Sequence, residues 1–311
     1  MNASSPVSPA TPAPLSDLPA AVDLIAEITG ATTSEVNRRL RLEHASLGSN
    51  VREEMKRFGV QPYAYGPAME KFYAETDAFL YETFTWNRYH TKQNMRQWIV
   101  SFLQKKHSGP LRVLAFGDGL GFDAVGLAMA GHQVTYFEVG QRSISFAKKI
   151  FAMNSTHVEV SNNLDELPVK SFDVIICLDV LEHVPNPPSL VGKLTEFLRP
   201  GGYFIAHAPF WFLHPAVSTH LAENQTYSGD LNRLYKPLGL TAVDGAIAWN
   251  PIALEKTSKP SVRMLTRIKL WCGGLLLKFA RWWNWPLITL LRIILALEHR
   301  KLLKKSFELE P

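Results

Sequence analysis

Between Leu111 and Leu254 short apolar runs alternate with longer amphipathic stretches, a rhythm the flanking regions lack. Leu111–Phe116, Gln133–Glu138, Val158–Ser161, Phe172–Leu178 and Tyr203–Ala208 read as strands. Phe122–Ala130, Ser143–Ala152 and Ser189–Leu198 read as helices, the last ended by Pro200-Gly201-Gly202. Such alternation builds βαβ units and a doubly wound, mainly parallel α/β sheet. Thr241–Val243 and Ile252–Leu254 are expected to close it as a strand pair. Upstream, Asp17 to Pro62 and Pro67 to Gln104 carry helical patterns. Thr32-Thr33-Ser34-Glu35 opens one helix, with a hydroxyl cap ahead of an acid. Val36, Leu40, Leu42 and Leu47 form its apolar face. The implied organisation is a flexible tail over 1–19 and a helical N-terminal region, able to act as a lid, over 20–108. A ligand-binding α/β domain over 109–257 and a basic amphipathic extension over 258–311 follow.

Composition changes this picture in three places. The tail is rich in Ser, Pro and Ala, lacks a basic start and an apolar block, and cannot bury enough surface to order itself. The two cysteines, Cys177 and Cys272, exclude a disulfide framework and a cysteine-rich zinc site, and fit a reducing cytoplasm. The net charge of +5 is uneven: from Pro260 onward ten Lys and Arg face three Glu. The α/β region is therefore slightly acidic, which argues against a nucleic-acid partner across its face.

The strongest local signal is Val113-Leu114-Ala115-Phe116-Gly117-Asp118-Gly119-Leu120-Gly121-Phe122-Asp123, a strand running through a glycine-rich turn into a helix. Glycine lets the backbone turn tightly and approach a ligand, and the helix start offers N–H groups and the positive dipole end. Gly119-Leu120-Gly121-Phe122-Asp123-Ala124 also satisfies G-x-G-x-x-A, a dinucleotide pattern. Glu138 follows about twenty residues later, the spacing of a ribose-binding carboxylate. These residues alone leave two adenosine cofactors open, NAD and S-adenosylmethionine (SAM).

Phe172-Asp173-Val174-Ile175-Ile176-Cys177-Leu178-Asp179-Val180-Leu181-Glu182-His183-Val184 and Leu198-Arg199-Pro200-Gly201-Gly202 come next. With the glycine turn they resemble, in order and spacing, the class I SAM-dependent methyltransferases, especially the group of ubiquinone-type O-methyltransferases. The resemblance covers Leu111 to Pro209 and implies a Rossmann-like fold with SAM as cofactor. It implies that Phe116, Gly117, Asp118, Gly119 and Gly121 wrap the methionine portion, and that Glu138 holds the ribose with Val139 beside the adenine. It also places Asn163 and Leu164 at the adenine amino group and Leu178 and Asp179 on the methyl-transfer side. The family's V-L-D-x-G pattern has an acid where this chain has Ala115; Asp118 is the nearest residue able to replace its charge. The GDGLG form of the turn also resembles methyltransferases acting on glycans.

Transfer from a sulfonium is an in-line displacement, so alignment and exclusion of water are the protein's main tasks. A hydroxyl acceptor also needs a base. Asp179, Glu182, His183 and His207 are the catalytic candidates. Resemblance to some ubiquinone-type enzymes allows the D-x-x-E-H cluster a divalent cation, but the preferred reading has Glu182 and His183 capping the loop, with no metal. His207, His214 and His220, with Phe210 and Trp211, form a candidate acceptor wall, and Trp86-Asn87-Arg88-Tyr89-His90 a candidate lid. The expected activity is O-directed methyl transfer to a small-molecule, glycan or lipid-linked acceptor. The alternatives are a non-catalytic SAM-binding scaffold and an NAD-dependent oxidoreductase.

The C-terminal extension is apolar but interrupted by charge, too short between charges to span a bilayer. On a helical wheel Arg263, Arg267, Lys278 and Arg281 share a narrow arc, while Leu265, Ile268, Trp271, Leu275 and Trp282 fall mostly elsewhere. That is the pattern of a helix lying in a membrane surface, with a break expected at Gly273-Gly274. Peripheral association through 263–305, at the inner face of the membrane, is the expectation; packing on the α/β domain or on a second subunit is the alternative.

Overall fold

The computed structural model describes residues 11–257 and 262–283, together with 286, 290, 293 and 297. Six helices lead into the sheet: α1 (Leu18–Thr29), α2 (Thr33–Ala45), α3 (Ser49–Arg57), α4 (Pro67–Glu75), α5 (Ala78–Arg88) and α6 (His90–Lys106). Then come β1 (Arg112–Phe116), α7 (Phe122–Met129), β2 (Gln133–Phe137), α8 (Gln141–Met153), β3 (Val158–Ser161) and β4 (Phe172–Leu178). They are followed by α9 (Pro187–Phe197), β5 (Leu198–His207), the short α10 (Leu231–Leu234), β6 (Leu240–Gly245), β7 (Ile252–Lys256) and α11 (Met264–Trp282). The strands form one sheet in the order β3-β2-β1-β4-β5-β7-β6. All pairings are parallel except those of β7, which runs antiparallel to both neighbours.

The central strands are apolar throughout because both faces are covered. Val113, Ala115, Val174, Ile176 and Ile205 point into one core with α1, α2, α5, α6, α7 and α8. Leu114, Phe116, Ile175, Cys177, Phe204 and Ala206 point into the other, against α9, α10 and Leu270 of α11. The N-terminal helices thus share the core of the sheet. Tyr81, Phe84, Phe122 and Phe146 are fully buried between them, each contributing roughly 1.5–3 kcal/mol of transfer free energy.

Several expectations need correction. The tail reading over 1–10 lies outside the described residues, but it fails beyond them. Leu15 and Leu18 are buried, and the Ala13 backbone both donates to and accepts from the side chain of Asn154. Thr32 caps α2 by accepting from Glu35 N at 3.2 Å, yet Leu42 is exposed while Glu43 and His44 are buried beside Val36 and Leu40. Glu43 is held inside by Gly48 N, Asn50 N and the Asn50 amide, a compensation no apolar pattern reveals. The stretch from Pro67 to Gln104 divides into α4, α5 and α6. The Leu198-Arg199-Pro200-Gly201-Gly202 segment belongs to β5, whose register against β4 shifts between Phe172 and Val174, with Gly201 at φ 74°. Finally, α11 runs unbroken through Gly273 and Gly274.

Candidate active site

The carboxyl ends of β1, β2, β4 and β5 lie along one edge, where open α/β sheets bind ligands. Here β1 ends in the glycine turn. Gly117, Gly119 and Gly121 adopt φ of 66°, 59° and 80°. At Gly117 a Cβ would lie 2.6 Å from Val180 Cγ2, and at Gly121 2.9 Å from Ala147 and Phe151, so both positions exclude larger residues. Gly119 is more open, its nearest neighbour Thr83 Cγ2 being 3.3 Å away. Phe116 stacks on Phe137 at 4.8 Å, closing the floor.

Glu138, at the end of β2, is tied to this turn. Its Oε2 accepts from Gly119 N at 3.1 Å, and Oε1 accepts from Val139 N and Gly140 N. Burial pushes the carboxyl up, against these three N–H groups, which favour its ionised form. Val139 beside it is 69% exposed, open to an apolar ring. Asn163 is exposed after β3, but its carbonyl oxygen accepts from Asp165 N and its amide donates to Glu166. It caps a local turn together with half-buried Leu164.

Asp118 does not replace the acid missing at Ala115. Its two oxygens accept from Asp123 N and Ala124 N, at 3.1 and 2.7 Å. The side chain thus takes up two of the N–H groups at the start of α7 that the sequence reading left to a ligand. Burial and the neighbouring Asp123 charge push this carboxyl well above the usual range.

Leu178 is buried at the end of β4, and Asp179 follows at φ 58°, a left-handed conformation unusual outside glycine. Its backbone N donates to His207 O, locking the ends of β4 and β5 together. Its side chain joins four elements. Oδ1 accepts from His207 Nδ1 at 2.5 Å, and Oδ2 accepts from Trp86 Nε1 at 2.9 Å and Lys92 Nζ at 3.1 Å. Lys92 also pairs with Asp123 at 3.1 Å, and Arg96 with Asp123 at 2.9 Å. Burial opposes the Asp179 charge, but Lys92 and His207 hold the carboxyl well below the usual range. Burial likewise opposes the Lys92 charge, and Asp123 and Asp179 raise it nonetheless. Sequence reasoning missed Lys92, Arg96 and Asp123. A cation and a carboxylate on otherwise core-facing helix positions were the available signals, and neither pointed to a partner. Of the candidate lid, Trp86 reaches Asp179, whereas Asn87 and Arg88 are buried in helix packing.

The three histidines at and beyond the end of β5 separate. His207 joins Asp179, and His214 accepts from Ala216 N in a local turn. His220 meets Glu182 and His183. Phe210 is buried against Tyr227, so Trp211 alone stays half-exposed. His183 Nδ1 lies 3.2 Å from Thr219 O, and His220 Nδ1 lies 2.7 Å from Phe212 O. A carbonyl only accepts, so each Nδ1 carries the proton and each Nε2 a lone pair. Both Nε2 atoms lie 3.9 Å from Glu182 Oε1. Both Glu182 oxygens are buried without a hydrogen-bond partner among the described residues. Burial and the Asp179 charge push this carboxyl well above the usual range, and burial holds His183 down to about 4. Ligand atoms of all three lie within 4.8 Å of one another, an arrangement able to accept a small divalent cation.

Burial and the Asp179 charge disfavour the ionised form of Glu182, and glutamine is the neutral isostere of its protonated form. Its folded pKa lies above 4.5, so Glu182 favours folding below pH 4.5 and loses that contribution as pH rises. Glu182→Gln removes this loss. In chelator, its Tm relative to the parent should therefore rise with pH above 4.5, and at pH 7 match or exceed the parent's. A Tm several degrees below the parent would show an ionised Glu182.

A cavity of about 390 Å³, lined by Val169, Lys170, Gly192, Thr195, Glu196, Leu238 and Lys256, opens at the opposite edge of the sheet. It takes no part in this site.

Residues 87–237 match the family model of a methyltransferase domain. Ubiquinone biosynthesis O-methyltransferase of Idiomarina loihiensis is 29% identical over 156 residues, 46% of this chain and 63% of that protein. Its counterpart in Marinobacter nauticus is 32% identical over 100 residues, 30% of this chain and 41% of that protein. The chain thus spans less than two thirds of the length of these curated relatives. A solved SAM-dependent methyltransferase from Methanosarcina mazei aligns with 51% of this chain and 98% of its own, at 15% identity and a TM-score of 0.39, too low to bear on the assignment. The family match covers the glycine turn, the end of β2, the Asp179–His207 pair and the Glu182 cluster, and it marks residues 87–237 of this chain as a methyltransferase domain.

Proposed function

We propose that this chain transfers the methyl group of SAM to a hydroxyl of a small amphiphilic or lipid-linked acceptor at a membrane surface. The observation that carries the hydroxyl reading is the Asp179–His207 pair. With Nδ1–H donated to Asp179, His207 keeps its Nε2 lone pair to take a proton from an acceptor. The pair sits against the glycine turn, because Val180, next to Asp179, fills the space beside Gly117.

The glycine turn and Glu138 fit the cofactor. The turn offers backbone at positive φ, and Glu138 is a half-buried carboxylate at the end of β2, the place a ribose-binding acid would take. Bound SAM supplies a methyl group already activated by its sulfonium. The turn orients the methionine portion, Glu138 accepts from ribose hydroxyls, and Asp179 fixes the His207 tautomer. The role is one of alignment and proton removal.

Calorimetric titration with SAM, S-adenosylhomocysteine and NAD tests this reading. The two sulfur nucleosides should bind and NAD should not. Glu138→Ala should weaken SAM about ten- to hundredfold, the loss of hydrogen bonds to a charged group, while the fold persists by circular dichroism. Absence of affinity for either sulfur nucleoside would end the proposal.

A further inference from the structure

The helix α11 has two apolar faces, and only one of them is packed. Leu270, Gly273, Gly274, Leu277 and Ala280 are buried against the domain. The contact is close. Trp249 Nε1 donates to Leu270 O at 3.0 Å and Ser228 Oγ to Leu277 O at 2.9 Å. A Cβ at Gly273 would lie 2.9 Å from Trp249 Nε1, and one at Gly229 2.2 Å from Gly274 O. The glycine pair is thus the seat of the helix on the domain. On the opposite side Leu265, Ile268, Trp271, Leu275, Phe279 and Trp282 are 46–82% exposed. Leu290, Ile293 and Leu297, at three- and four-residue spacing, continue the pattern, each 55% exposed.

An outer stripe of this kind needs an apolar partner, and the charge beside it states which. Met264–Trp282 contains Arg267, Lys269, Lys278 and Arg281 and no acid. Among the described residues Arg263 and Arg267 have no carboxylate partner, and Lys278 meets Asp230 only at 3.8 Å. Arg263, Arg267, Lys278 and Arg281 lie along one flank of the stripe. A groove of about 170 Å³ between α11 and the loop before α10 is lined by Arg233, Lys278, Arg281 and Trp282, with Asp230 its one acid. Cations at headgroup depth, indole rings at the interface and an apolar stripe between them match an anionic phospholipid surface. Among the described residues no helix is long and apolar enough to cross a membrane.

Position gives this surface a use. Gly245, at the end of β6, pairs with Ile252, which pairs with Ala206 near the end of β5. The β6–β7 connection therefore lies on the same edge of the sheet as the glycine turn and His207, and α11 packs on that connection through Leu270 and Trp249. We propose that α11 lies in the plane of an anionic bilayer, its outer face inserted and its basic flank on lipid phosphates, so that the edge bearing the site is held next to the membrane. The lipid-borne acceptor rests on the proposed function; the docking does not.

Sedimentation of the full chain with sucrose-loaded vesicles decides it. The chain should pellet with phosphatidylcholine vesicles containing phosphatidylglycerol, less with pure phosphatidylcholine, and less at high salt. Leu275→Glu/Phe279→Glu, both on the exposed face, should abolish pelleting while melting and SAM titration stay unchanged. Arg263→Glu/Arg267→Glu should weaken it by about fivefold or more per cation. Equal sedimentation with and without vesicles would overturn the proposal. So would a lipid-independent dimer dispersed by Leu275→Glu/Phe279→Glu, which would make the stripe a protein interface. Vesicle binding without SAM affinity would overturn the methyltransferase reading alone.

Discussion

Asp179→Asn should lower turnover by about a hundred- to ten-thousandfold. The carboxylate accepts from His207 Nδ1 at 2.5 Å and so leaves the other ring nitrogen free to accept. An asparagine amide can donate to Nδ1 instead, stabilising the tautomer whose Nε2 already carries a proton and cannot act as base. SAM affinity should change far less, because the glycine turn and Glu138 are untouched. The split is read by calorimetry for SAM and by release of S-adenosylhomocysteine with a hydroxylated amphiphile that supports turnover. His207→Ala should match the loss, and the double variant should be little worse, as residues acting as one unit are not additive. A variant turning over at the parental rate would remove the pair from catalysis.

Lys92→Met should cost about 3–5 kcal/mol of folding stability, the penalty for stranding a buried charge. For a chain of this size that is a fall in Tm of about ten degrees. Lys92 is the shared cation of Asp123 and Asp179, at 3.1 Å from each. Asp123 would keep Arg96, and Asp179 would keep His207 and Trp86, so the site loses its link rather than every partner. Both carboxyls have folded pKa values below 3.8, so their contribution is present above that pH and lost as pH falls through the folded values. Lys92 is raised above 10.5, so its contribution is present below that pH and lost as pH rises through its folded value. The deficit should therefore be widest between about pH 4 and pH 10 and shrink in strong acid. Lys92→Met/Asp123→Asn should recover none of it, because Arg96 then loses its carboxylate partner. A Tm within a degree of the parent at pH 7 would mean that the cluster contributes nothing.

β1, β4 and the second half of β5 were legible because each is a run of residues buried on both faces, bounded by glycine, proline or charge. Their ends were less so. The start of β5 at Leu198 reads locally as a helix stop, and only pairing with β4 makes it strand. The glycine turn was legible because three glycines after an apolar run have one economical explanation, close backbone approach. The function of Asp118 was not, because whether a carboxylate faces a ligand or its own helix depends on a rotation of one side chain. At the C-terminal end, the wheel separated cations from apolar residues correctly, yet it could not show which apolar residues the domain covers. Gly273 and Gly274 look like a break in isolation. In contact with Trp249 and Gly229 they are the point where the helix is held.

By itself, the chain's pattern of apolar and polar positions determined the sheet, its central strand, the turn that follows it and the basic helix at its end, since each depends on neighbours within a few turns of backbone. The tertiary structure alone decided that Lys92 serves two carboxylates, that Asp179 orients His207, that His220 meets Glu182 and that α11 shares an edge with the site. Asp179 and Lys92 stand 87 residues apart along the chain, and His183 and Thr219 stand 36 apart. No periodicity links such positions; the folding of the sheet brings them within hydrogen-bonding distance, and burial then makes each missing partner costly.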